Sequence, residues 1–425
     1  AHSKTIKNMI TRALQNKILW STFIQYFGKI LQIAIGIISI KLVTNALGPE
    51  EYGLYGKIAE FALFLSTTAN LGIFGNTVRK MSTNPDDGKL FINALFLRFI
   101  TIFFFLVAGL AYSQFALDST FTLGLLFFAC SLLFDNLTSI ATATLQANYL
   151  MGRSVFAITL GRIIELGIIF LLVSQTSSTP LFFLAPLSAA IISLIISMLF
   201  VRHRIKFKFK LSSILIKSLF ITSIPFGIIN IINNAYYRFM PSFFAAKALT
   251  ETDYGRYNLA LSAVATIAIL STFLMYSVLP IFKQSLKEKH FKHAKEIYKK
   301  TRLGLIALGA LAIISGSLLG PYLLSLVSSS DFISPTLWFM LPLLLTIAAV
   351  SYLYDLVLIT LFGLEKDMWF LKWEFLALAA ASILFITSLT PETQEVRLFL
   401  ILLAALTGEI IMVSAGMLKI RKILK

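Results

Sequence analysis

A small set of residues carries chemistry that its surroundings do not tolerate without a reason. Lys29, Lys41, Lys57, Arg98, Arg162, Arg238 and Lys372 are bases inside long apolar runs, and Glu60, Asp135, Glu165, Asp355, Glu374 and Glu409 are acids in the same setting. An ionisable group at the centre of a bilayer costs from about 2.5–3.5 kcal/mol upward, so it faces a bundle interior or a wet cavity and marks a ligand or ion path. Lys41, Lys57 and Lys372 lie near segment ends, where the amine can reach the headgroups. Gln25, Lys29, Gln32 and Gly36 recur at spacings that put them on one helical face. Asn230, Asn234, Tyr237 and Pro241 do the same further on, with Asn233 and Arg238 beside them. Basic groups in a low-dielectric setting attract an anion, and the Gln and Asn amides can hydrogen-bond hydroxyl-rich groups such as sugars. Lys29 and Arg238 have no acid within reach on their own helix. They are the candidates for holding an anion, with a structural role as the alternative.

The remaining charges suggest pairs. Lys57 with Glu60, and Arg162 with Glu165, are spaced i,i+3 and share a face. Arg98 and Asp135 lie on consecutive segments at compatible depths. Each pair reads either as charge compensation or, with Asp355 and Glu409, as part of an ion-coupling path. The sequence has no Walker motif, no HExxH and no nucleophile–base arrangement. Four histidines, His2, His203, His290 and His293, the last two in a lysine-rich stretch, do not suggest a histidine-built metal site, and the single cysteine, Cys130, forbids an internal disulfide. No enzyme activity, cofactor or metal is expected; a coupling ion, whether proton, sodium or anion, stays open.

The elements that position these groups follow from composition. Of 425 residues, 57% are hydrophobic and 13% charged, with a mean hydropathy of +0.84. Soluble domains run at about 45–50% apolar and about 25% charged. A spanning helix needs roughly 20 mostly apolar residues. Twelve segments qualify: 19–46, 54–79, 90–113, 119–146, 154–175, 181–202, 214–245, 256–282, 302–327, 333–362, 368–390 and 396–418. The expected fold is an all-α polytopic membrane protein with twelve transmembrane helices. Pro225 and Pro241 predict a bent seventh helix, because each removes a backbone hydrogen bond.

The net charge of +17 tests the topology. With the N-terminus in the cytoplasm, and with Arg79, Arg202, Lys217 and Arg302 counted with the cytoplasmic segments and Arg256 and Arg397 with the outer loops they adjoin, 27 of the 37 Lys and Arg are cytoplasmic, three lie in outer loops and seven within helices. That split matches the positive-inside rule and places both termini in the cytoplasm. Two basic stretches dominate. One, 204–213, joins the halves 1–203 and 204–425. The other, 283–301, reads as a cytoplasmic loop or an interfacial amphipathic helix. Both flank membrane spans, so anionic lipid headgroups are the expected contact rather than nucleic acid.

The halves are related. Ala46-Leu47-Gly48-Pro49-Glu50-Glu51-Tyr52-Gly53-Leu54-Tyr55 aligns with Ala248-Leu249-Thr250-Glu251-Thr252-Asp253-Tyr254-Gly255-Arg256-Tyr257 at an offset of 202 residues, with five of ten positions identical. Each copy falls in the first outer loop of its half. Two six-helix bundles that enter the membrane in the same sense are related by a pseudo-two-fold along the membrane normal. The polar faces of helices 1 and 7 then suggest a shared central cavity.

Residues 41–55 followed by Asn70-Leu71-Gly72-Ile73, with Leu145-Gln146-Ala147 after the fourth helix, resemble bacterial polysaccharide flippases of the Wzx type, in the multidrug/oligosaccharidyl-lipid/polysaccharide exporter superfamily. The resemblance covers nearly the whole chain. It implies a V-shaped pair of bundles alternating between inward- and outward-facing states in the bacterial cytoplasmic (inner) membrane. It also implies an undecaprenyl-pyrophosphate-linked oligosaccharide (an O-antigen type of intermediate) as substrate. A cationic cavity containing Lys29, Arg98 and Arg238 would receive the pyrophosphate. A polysaccharide polymerase and glycosyltransferases are the implied partners. A cation-coupled drug or small-molecule antiporter of the same superfamily is the first alternative, though helix 1 lacks the carboxylate common in that branch. A membrane scaffold for glycan assembly, acting through the basic linkers, is the second.

Overall fold

The computed structural model describes the backbone of residues 2–148, 150–207, 209–287, 290–364 and 366–423, and side chains from residue 24 onward except at scattered positions, most of them within 269–291. Helices account for almost all of it: α1 (His2–Asn70), α2 (Ile73–Thr83), α3 (Gly88–Ala116), α4 (Ser119–Ala147), α5 (Met151–Val173), α6 (Thr179–Phe182), α7 (Leu184–Arg202), α8 (Ser213–Asn234), a π-helical turn (Ala235–Phe239), α9 (Met240–Ala248), α10 (Glu251–Lys287), α11 (Phe291–Val327), α12 (Pro335–Gly363), α13 (Asp367–Thr387) and α14 (Gln394–Ile423).

Among the described residues, nine helical stretches are long and apolar enough to span a bilayer, and the bent pair α8–α9 makes a tenth. One of the nine, α1, holds two spans, divided at Gly48, and the 37-residue α10 supplies another. This accounts for the twelve spans of the all-α polytopic fold. Local chemistry sets the ends. Asp87 caps α3 by accepting from the backbone N–H groups of Lys89 and Leu90 at 2.9 and 3.0 Å. Asp118 caps α4 through the N–H of Phe121. Such carboxylates satisfy donors that a helix start leaves orphaned.

Two sequence expectations need correction. The first outer connection is not a loop: the chain is helical on both sides of Gly48, which alone leaves helical geometry (φ 69°, ψ 177°). Glycine tolerates positive φ, and Pro49, lacking an N–H that would be unpaired anyway, restarts the helix. Nor is 283–301 a separate interfacial helix. Its described residues extend α10 to Lys287 and open α11 at Phe291; Glu288 and Lys289, and the side chains of Leu286 and Phe291, lie outside the described residues.

The chain divides into two compact units: residues 1–46 with 61–228, and residues 47–60 with 229–425. In the first, the basic linker is tied down. Arg204 Nε donates to Asn148 Oδ1 at 2.9 Å, and Asn148 donates to the Pro85 carbonyl at 2.9 Å. Asn93 donates to the Lys210 carbonyl and accepts from the Ser212 N–H, at 3.0 and 2.8 Å. Phe207 stacks on Phe91 with centroids 5.3 Å apart. Lys208 lies outside the described residues.

The second unit contains the second copy of the repeated decapeptide and all of the first but Ala46. A Cβ on Gly53 would strike the carbonyl oxygen of Glu251 and sit 3.3 Å from Gly255 N; a Cβ on Gly255 would strike the carbonyl oxygen of Pro49 and sit 3.1 Å from Gly53 N. Pro49 and Glu251, like Gly53 and Gly255, are 202 residues apart. The contact is therefore reciprocal, as two-fold-related segments require. Only glycine allows the two backbones this close.

Candidate functional site

In the first unit, α1, α4 and α5 bring together charges of both signs. Arg162 Nη1 donates to Glu165 Oε2 at 2.6 Å, forming the i,i+3 pair read from the sequence. Lys29 on α1 is close enough to Arg162 for the two charges to repel. Asp135 on α4 feels both Arg162 and Glu165. Among the described residues Lys29 has no acid partner. Its face-mates are engaged: Gln32 Nε2 donates to Thr159 Oγ1 at 3.1 Å, and Gln25 Nε2 approaches Met151 Sδ at 2.6 Å. The stripe thus seats α1 on α5 and leaves the Lys29 amine as its unmatched charge.

Arg98 does not join this group. It is 4% exposed, donates to Asn136 Oδ1 and, at 3.3 Å, to the Ala69 carbonyl, and its Nε has no acceptor among the described residues. Asn136 in turn donates to Ser66 Oγ and to the Leu132 carbonyl, at 2.9 and 2.6 Å. The expected Arg98–Asp135 pair is absent. Consecutive helical residues point about 100° apart, and it is Asn136, not Asp135, that faces α3. Arg98 is enclosed, and the geometry gives it a structural place rather than a place on a ligand-accessible wall.

In the second unit, Arg238 meets an acid from another helix. Its Nε and Nη2 donate to Glu60 Oε2 and Oε1 at 3.0 and 2.8 Å, a bidentate fork. Lys57 turns to Glu251 instead, at 2.5 Å, and lies 5.4 Å from the centroid of the Tyr254 ring. The expected Lys57–Glu60 pair is thereby replaced by two pairs across elements. An i,i+3 spacing permits contact, but a planar fork offers two aligned hydrogen bonds where a lysine offers one.

Arg238 sits in the π-helical turn, which sequence periodicity does not signal. Met240 N–H bonds back five residues to the Ala235 carbonyl. Pro241, one residue on, has no N–H to give and its ring crowds the carbonyl four residues earlier, so the turn widens. Such turns concentrate at functional sites. Arg238, Tyr237, Tyr257 and Pro241 line a cavity of about 40 Å³, otherwise walled by apolar side chains. Asn234 Nδ2 donates to both the backbone carbonyl and Oδ1 of Asn230, at 2.8 and 3.1 Å, so those amides largely satisfy each other.

A third cluster lies in the same unit. Glu374 on α13 and Glu409 on α14 are both 0% exposed. Tyr354 donates its hydroxyl to Glu374 Oε1. Beyond Tyr354, the polar groups nearest these carboxylates are the Tyr236 hydroxyl beside Glu374 and the Asn233 amide beside Glu409. Asp355 on α12 and Glu374 lie within electrostatic range of Glu409, and Tyr236 and Tyr237 from the π-helical turn adjoin. Asn233 Nδ2 donates to the Tyr236 hydroxyl at 3.1 Å. Glu374 stands in the sequence as one intramembrane acid among six; nothing in its spacing marks the contact with Tyr354. Glu251, the partner of Lys57, was likewise visible only as a loop acid. No cluster of three or more metal-ligating side chains occurs among the described residues.

With the geometry in hand, the chain can be placed among known proteins. The profile of a family described as "Polysaccharide biosynthesis protein" matches residues 14–286. No curated protein matches. Among solved structures, the chain resembles a multidrug resistance MATE family transporter of the MOP superfamily in its inward-facing conformation, with a TM-score of 0.70 and 12% identity over 93% of this chain and 98% of the other. The outward-facing conformation of a transporter of the same description gives 0.67 and 13%, over 95% of each chain. A MOP superfamily transporter from Pyrococcus furiosus, described as having a binding pocket of reversed polarity, gives 0.66 and 12%, over 95% and 96%. At these identities the likeness is one of fold.

Proposed function

Because the chain belongs to the polysaccharide biosynthesis protein family, we propose that this membrane transporter is a flippase for a lipid-linked glycan. Its cargo is an undecaprenyl-pyrophosphate-linked oligosaccharide, moved from the cytoplasmic to the outer leaflet of the bacterial cytoplasmic membrane. The observation that carries the reading is the Arg238 fork: a guanidinium in a π-helical turn, beside a small cavity, in a segment otherwise apolar. Guanidinium forks match phosphate as well as carboxylate. Lys29 supplies a second base without an acid partner among the described residues. Pyrophosphate cannot cross about 30 Å of hydrocarbon unaided; fixed bases lower that cost, while the polyprenyl tail stays in lipid. Arg98 belongs to the helix packing in this account and is withdrawn from the binding set. No covalent bond changes, so no catalytic step is required.

The acid cluster of Glu374, Glu409 and Asp355 is the proposed coupling site. Glu374 and Glu409 are fully buried; a buried carboxylate is costly to keep charged, and a proton or a bound cation relieves that cost. The cluster adjoins Tyr236 and Tyr237, in the same turn as Arg238, so occupancy there bears on the anion-binding arginine. The same cluster favours the second reading, a cation-coupled small-molecule antiporter. Reconstitution separates the two: a flippase moves a labelled lipid-linked glycan between leaflets, whereas an antiporter exchanges a small molecule for the coupling cation and leaves the glycan in place.

A further inference from the structure

We infer that Glu60 is the resident anion of the Arg238 site: its carboxylate holds the guanidinium edge that a phosphate group of the cargo must take. The inference rests on the flippase reading of Arg238 and adds a residue to it.

Four observations support competition rather than a permanent brace. The fork is bidentate through Nε and Nη2, the edge that serves planar carboxylate and tetrahedral phosphate alike. The partners are unequally accessible: the Arg238 side chain is 34% exposed and that of Glu60 10%. Of the two, the arginine side chain is the more open to an incoming anion. The 40 Å³ cavity lined by Arg238, Tyr237 and Tyr257 gives room beside the fork. Finally, the nearest lysine on the helix of Glu60, Lys57, is committed to Glu251 and the Tyr254 ring. Glu60 is thus assigned to Arg238 and holds the fork in a phosphate-ready geometry while the site is empty of cargo. A buried pair is weak evidence for stability in itself, since desolvation offsets much of the attraction; occupying the site of a charged ligand is a use that desolvation does not argue against.

The test titrates inorganic pyrophosphate into the detergent-purified full chain and measures affinity and thermal stability. Glu60→Gln removes the competing charge but keeps the shape, and should bind pyrophosphate at least tenfold more tightly than the wild type. Glu60→Asp keeps the charge on a shorter arm and should fall between; it also serves if Glu60→Gln does not fold. Arg238→Gln, alone or combined with Glu60→Gln, should lose the binding. Equal or weaker affinity in folded Glu60 variants, with binding still lost in Arg238→Gln, overturns the role of Glu60 and leaves Arg238 as the anion group. Binding that is indifferent to Arg238→Gln, or absent from every protein, overturns the reading of Arg238 as well.

Discussion

The two compact units use charge in opposite ways. The first gathers Lys29, Asp135, Arg162 and Glu165, two bases and two acids. The second holds an ion pair, Arg238–Glu60, and, apart from it, two fully buried acids, Glu374 and Glu409, with Asp355 in electrostatic range of Glu409. These contrasts sit on repeat-related helices. At the 202-residue offset Gln32 corresponds to Asn234, so polar character is retained, whereas Arg238 corresponds to Gly36 and Lys29 to Ile231. At this pair of helices one polar position is shared and the charges are not. In the first unit these four charges offset one another. In the second, Glu374 and Glu409 are fully buried acids with no salt bridge among the described residues, and it is there that a proton or a cation is expected to act.

That difference can be broken most sharply at the acids. Glu374→Gln with Glu409→Gln should lower transport at least tenfold and abolish any dependence on the coupling cation, while thermal stability stays equal or rises, because neutral amides replace buried charge. Asp135→Asn in the first unit should change transport less than threefold. Comparable losses from both substitutions in a reconstituted transport assay would erase the distinction.

Next in size are packing effects. Gly255→Ala forces a Cβ into the Pro49 carbonyl and should cost about 1–3 kcal/mol. Gly36→Ala has open space and should lie within about 1 kcal/mol of wild type, on the favourable side. Equal melting temperatures for the two would contradict the reciprocal backbone contact. Arg98→Gln should cost about 1–3 kcal/mol by leaving buried acceptors unpaired, yet leave pyrophosphate affinity within twofold. A large loss of affinity in folded protein would return Arg98 to the binding set.

The smallest effect is expected at Lys57→Gln. Its partner Glu251 is half exposed, and such pairs contribute about 0–1 kcal/mol. A melting shift corresponding to several kcal/mol would show that the pair is a structural anchor.

How much of this was legible in the sequence depends on distance along the chain. Apolar segment length and Gly/Pro punctuation gave the helices, since both act locally. The decapeptide repeat announced a two-fold relation that Gly53 and Gly255 realise as a contact. Helical spacing also found the Arg162–Glu165 pair, whose geometry is contained in one helix. The Lys57–Glu60 and Arg98–Asp135 pairings failed because partner choice depends on elements distant in sequence: Glu251 and Arg238 lie 194 and 178 residues from Lys57 and Glu60. The π-helical turn was invisible because it breaks the 3.6-residue period from which faces are read; Pro241 was its one local sign. The role of Glu374 escaped for a related reason, since an isolated acid in an apolar run reveals nothing of the hydroxyl it accepts from.

Arg238 in the second unit and, separately, Lys29 in the first are each proposed to meet the anionic part of a lipid-linked glycan during transport. The most direct measurement is translocation of a labelled undecaprenyl-pyrophosphate-linked oligosaccharide in proteoliposomes, comparing wild type with the Lys29→Gln/Arg238→Gln double variant at equal incorporation and verified fold. Loss of translocation in the double variant is the predicted result; wild-type translocation by the double variant would contradict the account.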